Sequence, residues 1–178
     1  FERKVTKESA FVKQIELKDH VVIIGCDKIG SSLLPYFRRH NIPHVVIDFN
    51  PSVFTRLSSE NTNVLLGDVT DTEIIELSRL NDAKAIICTV PNLEENLFLV
   101  EAIKTLPTKP LFIGSTNSRA DTIKLYEEGA DYVLNPDIIA GEFLRNMFTN
   151  HGFSILRIAK MGKSHFNRIM YLKSFKNL

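Results

Sequence analysis

The sequence predicts an α/β fold in which helices cover both faces of a doubly wound parallel sheet. Six short, apolar runs alternate with amphipathic segments of helical length between residues 20 and 150. Runs this short are typical of strands, and strands that are apolar along their whole length are covered on both faces. The alternation of strands and helices therefore predicts a Rossmann-like parallel sheet.

Residues typical of helix ends support the boundaries of the individual elements. The predicted strands are residues 21–25, 44–49, 63–66, 85–90, 111–114 and 132–134. The predicted helices are residues 29–40, 52–59, 71–80, 93–106, 119–128 and 137–150. Asp71 and Asn92 suit helix N-caps, and Gly129 suits a left-handed residue at a helix end.

A chain of 178 residues fits one domain with additional terminal segments. We expect residues 1–19 to form a linker or a helix leading into the domain, residues 20–150 the domain itself, and residues 151–178 a basic tail. The broad apolar stripe of the helix at 137–150 fits either ordinary core packing or a dimer interface. The chain begins with Phe1 rather than Met, which suggests a piece of a longer protein.

Composition excludes several classes of protein. No apolar run approaches the roughly 18–20 residues that span a bilayer, and Cys26 and Cys88 lie in or beside apolar runs, as thiols of a reducing compartment do. After Glu142 there are seven bases and no acid. Such a tail could meet a membrane surface or an acidic domain, or be solvated. No helix-turn-helix or zinc spacing accompanies it, so we expect no nucleic acid partner.

The most informative segment is a strand, a glycine turn and a helix start at residues 21–30. Gly25 allows a tight turn at the strand end, and Gly30 allows the helix to pack closely on the strand. Asp48 ends the second predicted strand, near the spacing expected for a carboxylate that holds ribose hydroxyls. Together these features predict a nucleotide site with phosphate at the helix N-terminus.

Asp27 departs from this pattern because it replaces the middle glycine, whose missing side chain lets the backbone approach a pyrophosphate. Lys28 offsets part of the added negative charge. Three outcomes stay open: the pocket holds a mononucleotide or nucleoside, it holds a dinucleotide through a bridging cation, or it is empty.

Three later segments carry a family resemblance. They are Gly67-Asp68-Val69-Thr70-Asp71, the run at residues 85–92 with its following helix, and Gly129-Ala130-Asp131 with Pro136 and the helix containing Ala140-Gly141. Over residues 20–150 this order resembles the regulator of potassium conductance (RCK) domain, which also occurs in Trk/Ktr-type and Kef-type transport systems. The family's C-terminal lobe is not recognisable in the chain.

The resemblance implies a set of site residues. The pocket would comprise Gly25, Cys26, Asp27, Lys28, Ile29, Gly30, Asp48, Phe49, Asn50, Gly67, Asp68, Val69 and Thr89. By this analogy Asp68 and Val69 border the adenine and Thr89 the phosphates. The competing interpretation is that Asp68 and Asp71 only cap the next helix. Asp131 matches a position where some members bind calcium.

The resemblance also implies a function: a ligand-sensing domain on the cytoplasmic side of the cell membrane that gates a potassium channel. Its ligand would be NAD(H), AMP, ADP, ATP or calcium. It would form a homodimer or an octameric gating ring and act on a membrane pore or transporter domain of the same or a partner chain. The alternative within the family is regulation of a cation/proton antiporter or a Trk/Ktr-type potassium transporter.

The sequence predicts a non-enzyme. No Tyr-x-x-x-Lys pair or His–Asp arrangement stands where a dehydrogenase would need its acid or base, and no Cys/His cluster has zinc spacing. Two hypotheses from other classes stay open. One is a small NAD-dependent oxidoreductase or redox sensor, and the other is an assembly module whose pocket binds nothing, an interpretation that Asp27 favours.

Overall fold

The computed structural model describes residues 10–11 and 17–175 of the chain. These residues form two compact units that divide after Asn135. The sequence instead predicts a domain that continues to residue 150. The first unit contains the sheet and its covering helices, and the second consists of helices.

Strands and helices alternate along the first unit as the sequence predicts. Its strands are β1 (Ala10–Phe11), β2 (His20–Ile24), β3 (His44–Asp48), β4 (Val64–Leu66), β5 (Ala83–Cys88), β6 (Leu111–Ser115) and β7 (Tyr132–Leu134). Its α-helices are α1 (Ile29–Arg39), α2 (Pro51–Ser59), α3 (Thr72–Ser78), α4 (Leu93–Lys104) and α5 (Arg119–Glu127). A short 3₁₀ turn, Leu80–Asp82, leads into β5.

The strands form one sheet in the order β1-β4-β3-β2-β5-β6-β7. Strands β2 to β7 pair in parallel, which confirms the predicted doubly wound architecture. The order reverses between β2 and β5, and in open sheets of this kind ligands bind at that reversal, at the carboxyl ends of the strands. The strand β1 pairs antiparallel with β4 and lies in the leading segment; residues 1–9 and 12–16 of that segment lie outside the described residues.

The sheet is buried on both faces because its strands alternate their side chains between two apolar clusters. Val22 and Ile24 pack in one cluster, together with residues of α3, α4 and α5. Val21 and Ile23 pack in the other cluster with residues of α1 and α2. This division explains why the strands are apolar at every position rather than at alternate ones.

The second unit comprises α6 (Pro136–His151) and α7 (Ile155–Phe175). Gly152, with φ +62°, ends α6 in the left-handed conformation that favours glycine. Large apolar side chains of α6 are exposed, among them Phe143 at 62% and Leu144 at 50%. Lys176 of the predicted basic tail lies outside the described residues. Across residues 10–11 and 17–175, no helix has the length and hydropathy to cross a membrane.

Candidate functional site

The turn between β2 and α1 opens the candidate site. Gly25 has φ +80°, and a Cβ atom there would lie 2.7 Å from a methyl group of Val90. A Cβ atom on Gly30 would lie 2.1 Å from the Gly25 carbonyl oxygen. Lys28, the N-cap residue of α1, makes no side-chain capping bond. The first N–H groups of a helix have no intrahelical partners. Because no side chain caps α1, those groups are available to an anion.

The Asp48 carboxylate lies at the end of β3 and ties the turn to the neighbouring strand. Its Oδ2 accepts a hydrogen bond of 2.7 Å from the Cys26 N–H, and its Oδ1 accepts one of 2.9 Å from the Asn50 N–H. Asp48 is 6% exposed, so these charge-assisted bonds offset the cost of burying its charge. The chain thereby brings the glycine turn and the predicted ribose-binding acid together.

An open cleft lies beside this acid at the carboxyl edge of the sheet. Six predicted site residues line it: Gly25, Asp48, Phe49, Gly67, Asp68 and Val69. Phe49 is 76% exposed, which leaves an aromatic ring accessible at the cleft. An apolar wall with a few polar groups is the usual composition of a small-molecule site.

The other predicted site residues surround the cleft without lining it. Cys26, Asp27, Lys28, Ile29 and Gly30 form the turn and the first residues of α1.

Asn50 caps α2 by accepting a hydrogen bond of 2.9 Å from the Ser52 N–H. The Thr89 hydroxyl donates to the carbonyls of Gly25 and Ile24, at 2.9 and 3.2 Å, so its proton is already used within the protein.

Asp68 and Asp71, which the capping interpretation groups together, have different roles. Asp71 caps α3 by accepting a hydrogen bond from the Glu73 N–H. Asp68 lines the cleft, and its Oδ1 accepts hydrogen bonds from the N–H and hydroxyl of Thr70, both at 2.8 Å. The capping interpretation therefore describes Asp71 but not Asp68.

Sequence reasoning missed four residues that line the cleft: Ile24, Ile47, Val90 and Glu95. Glu95 lies in the first turn of α4, where partial burial and, secondarily, the nearby Asp68 raise the pKa of its carboxyl. An adjacent acid, Glu94, shares that turn but is exposed and does not line the cleft. The predicted N-cap at Asn92 placed both acids near the sheet edge, but it could not distinguish which of them faces the cleft.

A buried amide lies farther along the same sheet edge, between the ends of β5 and β6. Asn96 on α4 is fully buried, and its side-chain nitrogen donates to the carbonyls of Val90, Asn92 and Ser115 at 2.9, 2.7 and 3.2 Å. Its Oδ1 accepts a hydrogen bond of 3.1 Å from the Ser115 N–H. The amide therefore joins the end of β6 to the segment after β5.

Beyond Asn96, a second polar group closes the ends of β6 and β7. The hydroxyls of Thr116 and Thr122 share a hydrogen bond of 2.7 Å, and the Asn135 side chain donates to Thr122 at 3.1 Å. All three residues are at most 8% exposed. We call Asn96, Ser115, Thr116, Thr122 and Asn135 the polar plug.

Both thiols are buried and lie in opposite core clusters. Burial raises the pKa of Cys26 to about 11 and that of Cys88 to about 12. The Arg56 guanidinium donates a hydrogen bond of 3.1 Å to the Cys26 carbonyl and partly opposes the rise at Cys26. Because the thiolate is the reactive form of cysteine, this rise reduces the reactive fraction of both thiols near neutral pH.

Asp131, the predicted calcium ligand, uses its Oδ2 to accept a hydrogen bond of 2.7 Å from the Phe112 N–H. Within residues 10–11 and 17–175 no group of three or more His, Cys, Asp or Glu residues could hold a metal ion. Calcium prefers several oxygen ligands. The calcium site stays a prediction that this geometry does not support.

The residues at the cleft are of the types that suit the adenosine part of a nucleotide. Asp48 stands where ribose hydroxyls are held, Phe49 and Val69 offer apolar surface, and the start of α1 offers N–H groups to phosphate.

Comparison with known proteins identifies the relatives of this fold. The family model described as the TrkA-N domain matches residues 21–136. Potassium channel protein 1 of Methanocaldococcus jannaschii is 27% identical over 128 residues, which are 71% of this chain and 38% of that relative. The putative K(+) efflux antiporter KefB of Alkalimonas amylolytica is 24% identical over 148 residues, 83% of this chain and 22% of that relative.

A solved structure agrees with these matches. The crystal structure of GsuK bound to ADP is 25% identical, with a TM-score of 0.60 over 73% of this chain and 34% of that chain. The chain spans less than half the length of the curated relatives it matches. The family model covers most of the chain, including both the glycine turn and the cleft, and this protein therefore belongs to the TrkA-N domain family.

Proposed function

We propose that this chain is a regulatory domain that binds an adenine nucleotide in the cleft and thereby controls potassium transport across the cell membrane, from its cytoplasmic side. The observation that carries the proposal is the Asp48 carboxylate, buried at the end of β3 and bonded to the turn that precedes an uncapped helix N-terminus. The structure of GsuK bound to ADP supports the choice of ligand class.

Calorimetric titration tests the binding step. We expect at least one ligand among AMP, ADP, ATP, NAD and NADH to bind the wild-type chain, and Asp48→Ala to weaken that binding by about tenfold or more, since charge-assisted hydrogen bonds to a ligand are worth about 1.5–3 kcal/mol. Asp71→Ala is the matched control, because it removes a carboxylate that caps α3 outside the cleft. Equal affinity of wild type and Asp48→Ala would contradict the site, and calcium titrated alongside tests Asp131.

Potassium transport is the proposed output because a potassium channel protein and a K(+) efflux antiporter share this domain. In vesicles that contain the membrane protein carrying or binding this chain, nucleotide should change potassium flux, and Asp48→Ala should abolish the change. Antiport is the second candidate, which the KefB match favours. A nucleotide response that requires a proton gradient would select antiport over a channel.

The proposed assembly is a homodimer or larger ring through α6. Ile138, Ile139, Phe143, Leu144 and Phe148 are each at least 37% exposed, and such apolar surface on a helix indicates a protein interface. Light scattering should therefore report a dimer or larger species. A strict monomer at high concentration would contradict the interface.

We infer that the domain senses its ligand without transforming it. Neither thiol lines the cleft and burial raises the pKa of both, while the Thr89 hydroxyl is bonded to the turn, so none of these three groups is an activated nucleophile there. A change in NADH absorbance on addition of a candidate substrate would instead support the oxidoreductase hypothesis. Failure of every nucleotide to bind would support the assembly-module hypothesis.

A further inference from the structure

We infer that α7 binds the surface of an anionic lipid bilayer, lying in the plane of the membrane with its apolar side chains inserted among the lipids. This inference goes beyond the proposed function, since it concerns the second unit and needs no nucleotide. Three features carry it: a continuous apolar face, charge of a single sign, and a sequence that is poorly suited to pairing with a second helix.

The apolar face of α7 continues along the helix without interruption from residue 155 to residue 170. Apolar residues recur there at the three- and four-residue intervals that place side chains on one face of a helix. Ile155 and Phe166 are 77% and 61% exposed, so this face is open in the structure. It spans about 120° of the helix circumference, and its members are Ile155, Ile158, Ala159, Gly162, Phe166, Ile169 and Met170.

The charged side chains of the same segment are all basic and exposed. Arg157, Lys160 and Arg168 lie opposite the apolar face, and Lys163 lies at its border. The sequence contains no acid after Glu142, so no ion pair within α7 compensates these bases. A basic face opposite a face of aliphatic and aromatic residues is the composition of helices that lie in the interface of an anionic bilayer.

A second copy of α7 is the competing occupant of the apolar face. Helices pair along a seam of apolar residues that repeats every seven positions, in alternating steps of three and four. In the seam that contains Ile155, Ile158 and Ile169, the central positions are Gly162 and His165, of which one has no side chain and the other is polar. Oppositely charged residues usually flank such a seam, and α7 has no acid to supply. A bilayer accommodates the wider apolar face and provides the negative charge.

The length and charge of α7 determine its orientation in the membrane. Its 21 residues extend over about 30 Å, which is the thickness of the hydrocarbon core. The bases opposite the apolar face oppose a spanning orientation, because each would enter the hydrocarbon. A helix lying along the surface instead keeps the bases among the lipid headgroups. Anionic lipids are typical of the cytoplasmic leaflet, which is the leaflet that the proposed function places beside this chain.

Co-sedimentation with sucrose-loaded vesicles tests the inference on the 178-residue chain without nucleotide. The vesicles contain phosphatidylcholine alone or with about 30% phosphatidylglycerol, which supplies the negative surface charge. At about 0.05 M salt we expect binding to the anionic vesicles and little or none to the neutral ones. Raising the salt to about 0.5 M should weaken the binding by about tenfold or more, because it screens the bases from the lipid charge.

A double variant measures the contribution of charge. Each base near an anionic surface strengthens binding by about fivefold, so Lys160→Gln combined with Arg168→Gln should weaken it by about twentyfold. Lys109→Gln combined with Lys124→Gln is the matched control, because it removes two exposed bases from the first unit. This control should leave vesicle binding unchanged.

Tryptophan fluorescence measures insertion of the apolar face, since the chain contains no Trp. Phe166→Trp places an indole on this face, and its emission should shift to shorter wavelength when anionic vesicles are added. Ile123→Trp is the control, at an exposed position of α5 in the first unit, and its emission should not shift.

Equal binding to neutral and anionic vesicles, or binding to neither, would overturn the inference. A shift of the Phe166→Trp emission that grows with protein concentration in the absence of vesicles would also overturn it, because a second copy would then cover the apolar face. The nucleotide titrations are made without lipid, so each of these outcomes leaves the proposed function intact.

Discussion

The two halves of the sheet's carboxyl edge are built from the same kind of strand–helix unit, yet they differ in what occupies them. At the ends of β3 and β4, backbone N–H groups hold one acid, Asp48, and a cleft remains open. At the ends of β6 and β7, buried polar side chains bond to one another and to the backbone. The comparison teaches that similar strand–helix units can end either in an acid beside a cleft or in a buried hydrogen-bond network, depending on a few polar side chains.

The largest expected effect on stability comes from disrupting the polar plug at the ends of β6 and β7. Asn96→Leu removes an amide that makes four hydrogen bonds and leaves the carbonyls of Val90, Asn92 and Ser115 without it. We expect a loss of about 3–5 kcal/mol in the free energy of unfolding, measured by urea denaturation. Asn117→Ala, at an exposed position in the loop after β6, should change stability by less than about 0.5 kcal/mol. A loss below about 1 kcal/mol for Asn96→Leu would show that the plug is not an essential part of the fold.

The next largest effect comes from disrupting the glycine turn beside the cleft. Gly30→Ala places a methyl group against the Gly25 carbonyl, which is backbone and cannot rotate away. We expect the chain to lose about 1–3 kcal/mol of stability and its nucleotide affinity, because the turn must widen.

Gly162→Ala provides the control for that variant, since its added methyl group meets nothing within 4 Å. In the interior of α7 it should be neutral or stabilising by up to about 1 kcal/mol, from helix propensity alone. Thermal unfolding followed by circular dichroism measures both variants. A neutral Gly30→Ala would show that the turn tolerates a wider geometry than the structure indicates.

The smallest effect concerns the opposite edge of the sheet, away from both halves. His20 at the start of β2 is fully buried, and its Nε2 donates to the Ser78 carbonyl at 2.9 Å. Its Nδ1 has no partner among the residues that the structure describes. Burial lowers the pKa of His20 below 6.5, with the nearby Asp82 opposing and Arg79 reinforcing that shift more weakly.

The pH dependence follows from this lowered pKa. The unfolded chain takes up a proton at His20 as the pH falls through 6.5, whereas the folded chain does so only at lower pH, so stability should fall as the pH drops below 6.5. His20→Gln, which keeps a donor for Ser78, should reduce this dependence, and the exposed His40→Gln should not. Burial also lowers the pKa of His44, which accounts for the part that remains. Urea midpoints between pH 5 and pH 8 measure the effect, and an unchanged slope in His20→Gln would contradict it.

The sequence alone determined the order of the elements, the parallel sheet, the glycine turn and the acid that follows it. These features are local: apolar runs, cap residues and a fixed spacing from Gly25 to Asp48 do not depend on distant parts of the chain. For the same reason the family resemblance could be drawn from Gly67-Asp68 and the later segments.

Tertiary structure alone decided which of two neighbouring acids, Glu94 or Glu95, faces the cleft, and that Thr89 bonds to the turn. It also decided that Asn96, separated from Ser115 by 19 residues in sequence, closes one half of the edge. Such outcomes depend on the packing of α4 against the sheet, and a buried asparagine in the chain is indistinguishable from an exposed one until that packing is known. The sequence could therefore predict the residues of a nucleotide site, whereas the fold decided which neighbouring side chains face the cleft and which are buried beside it.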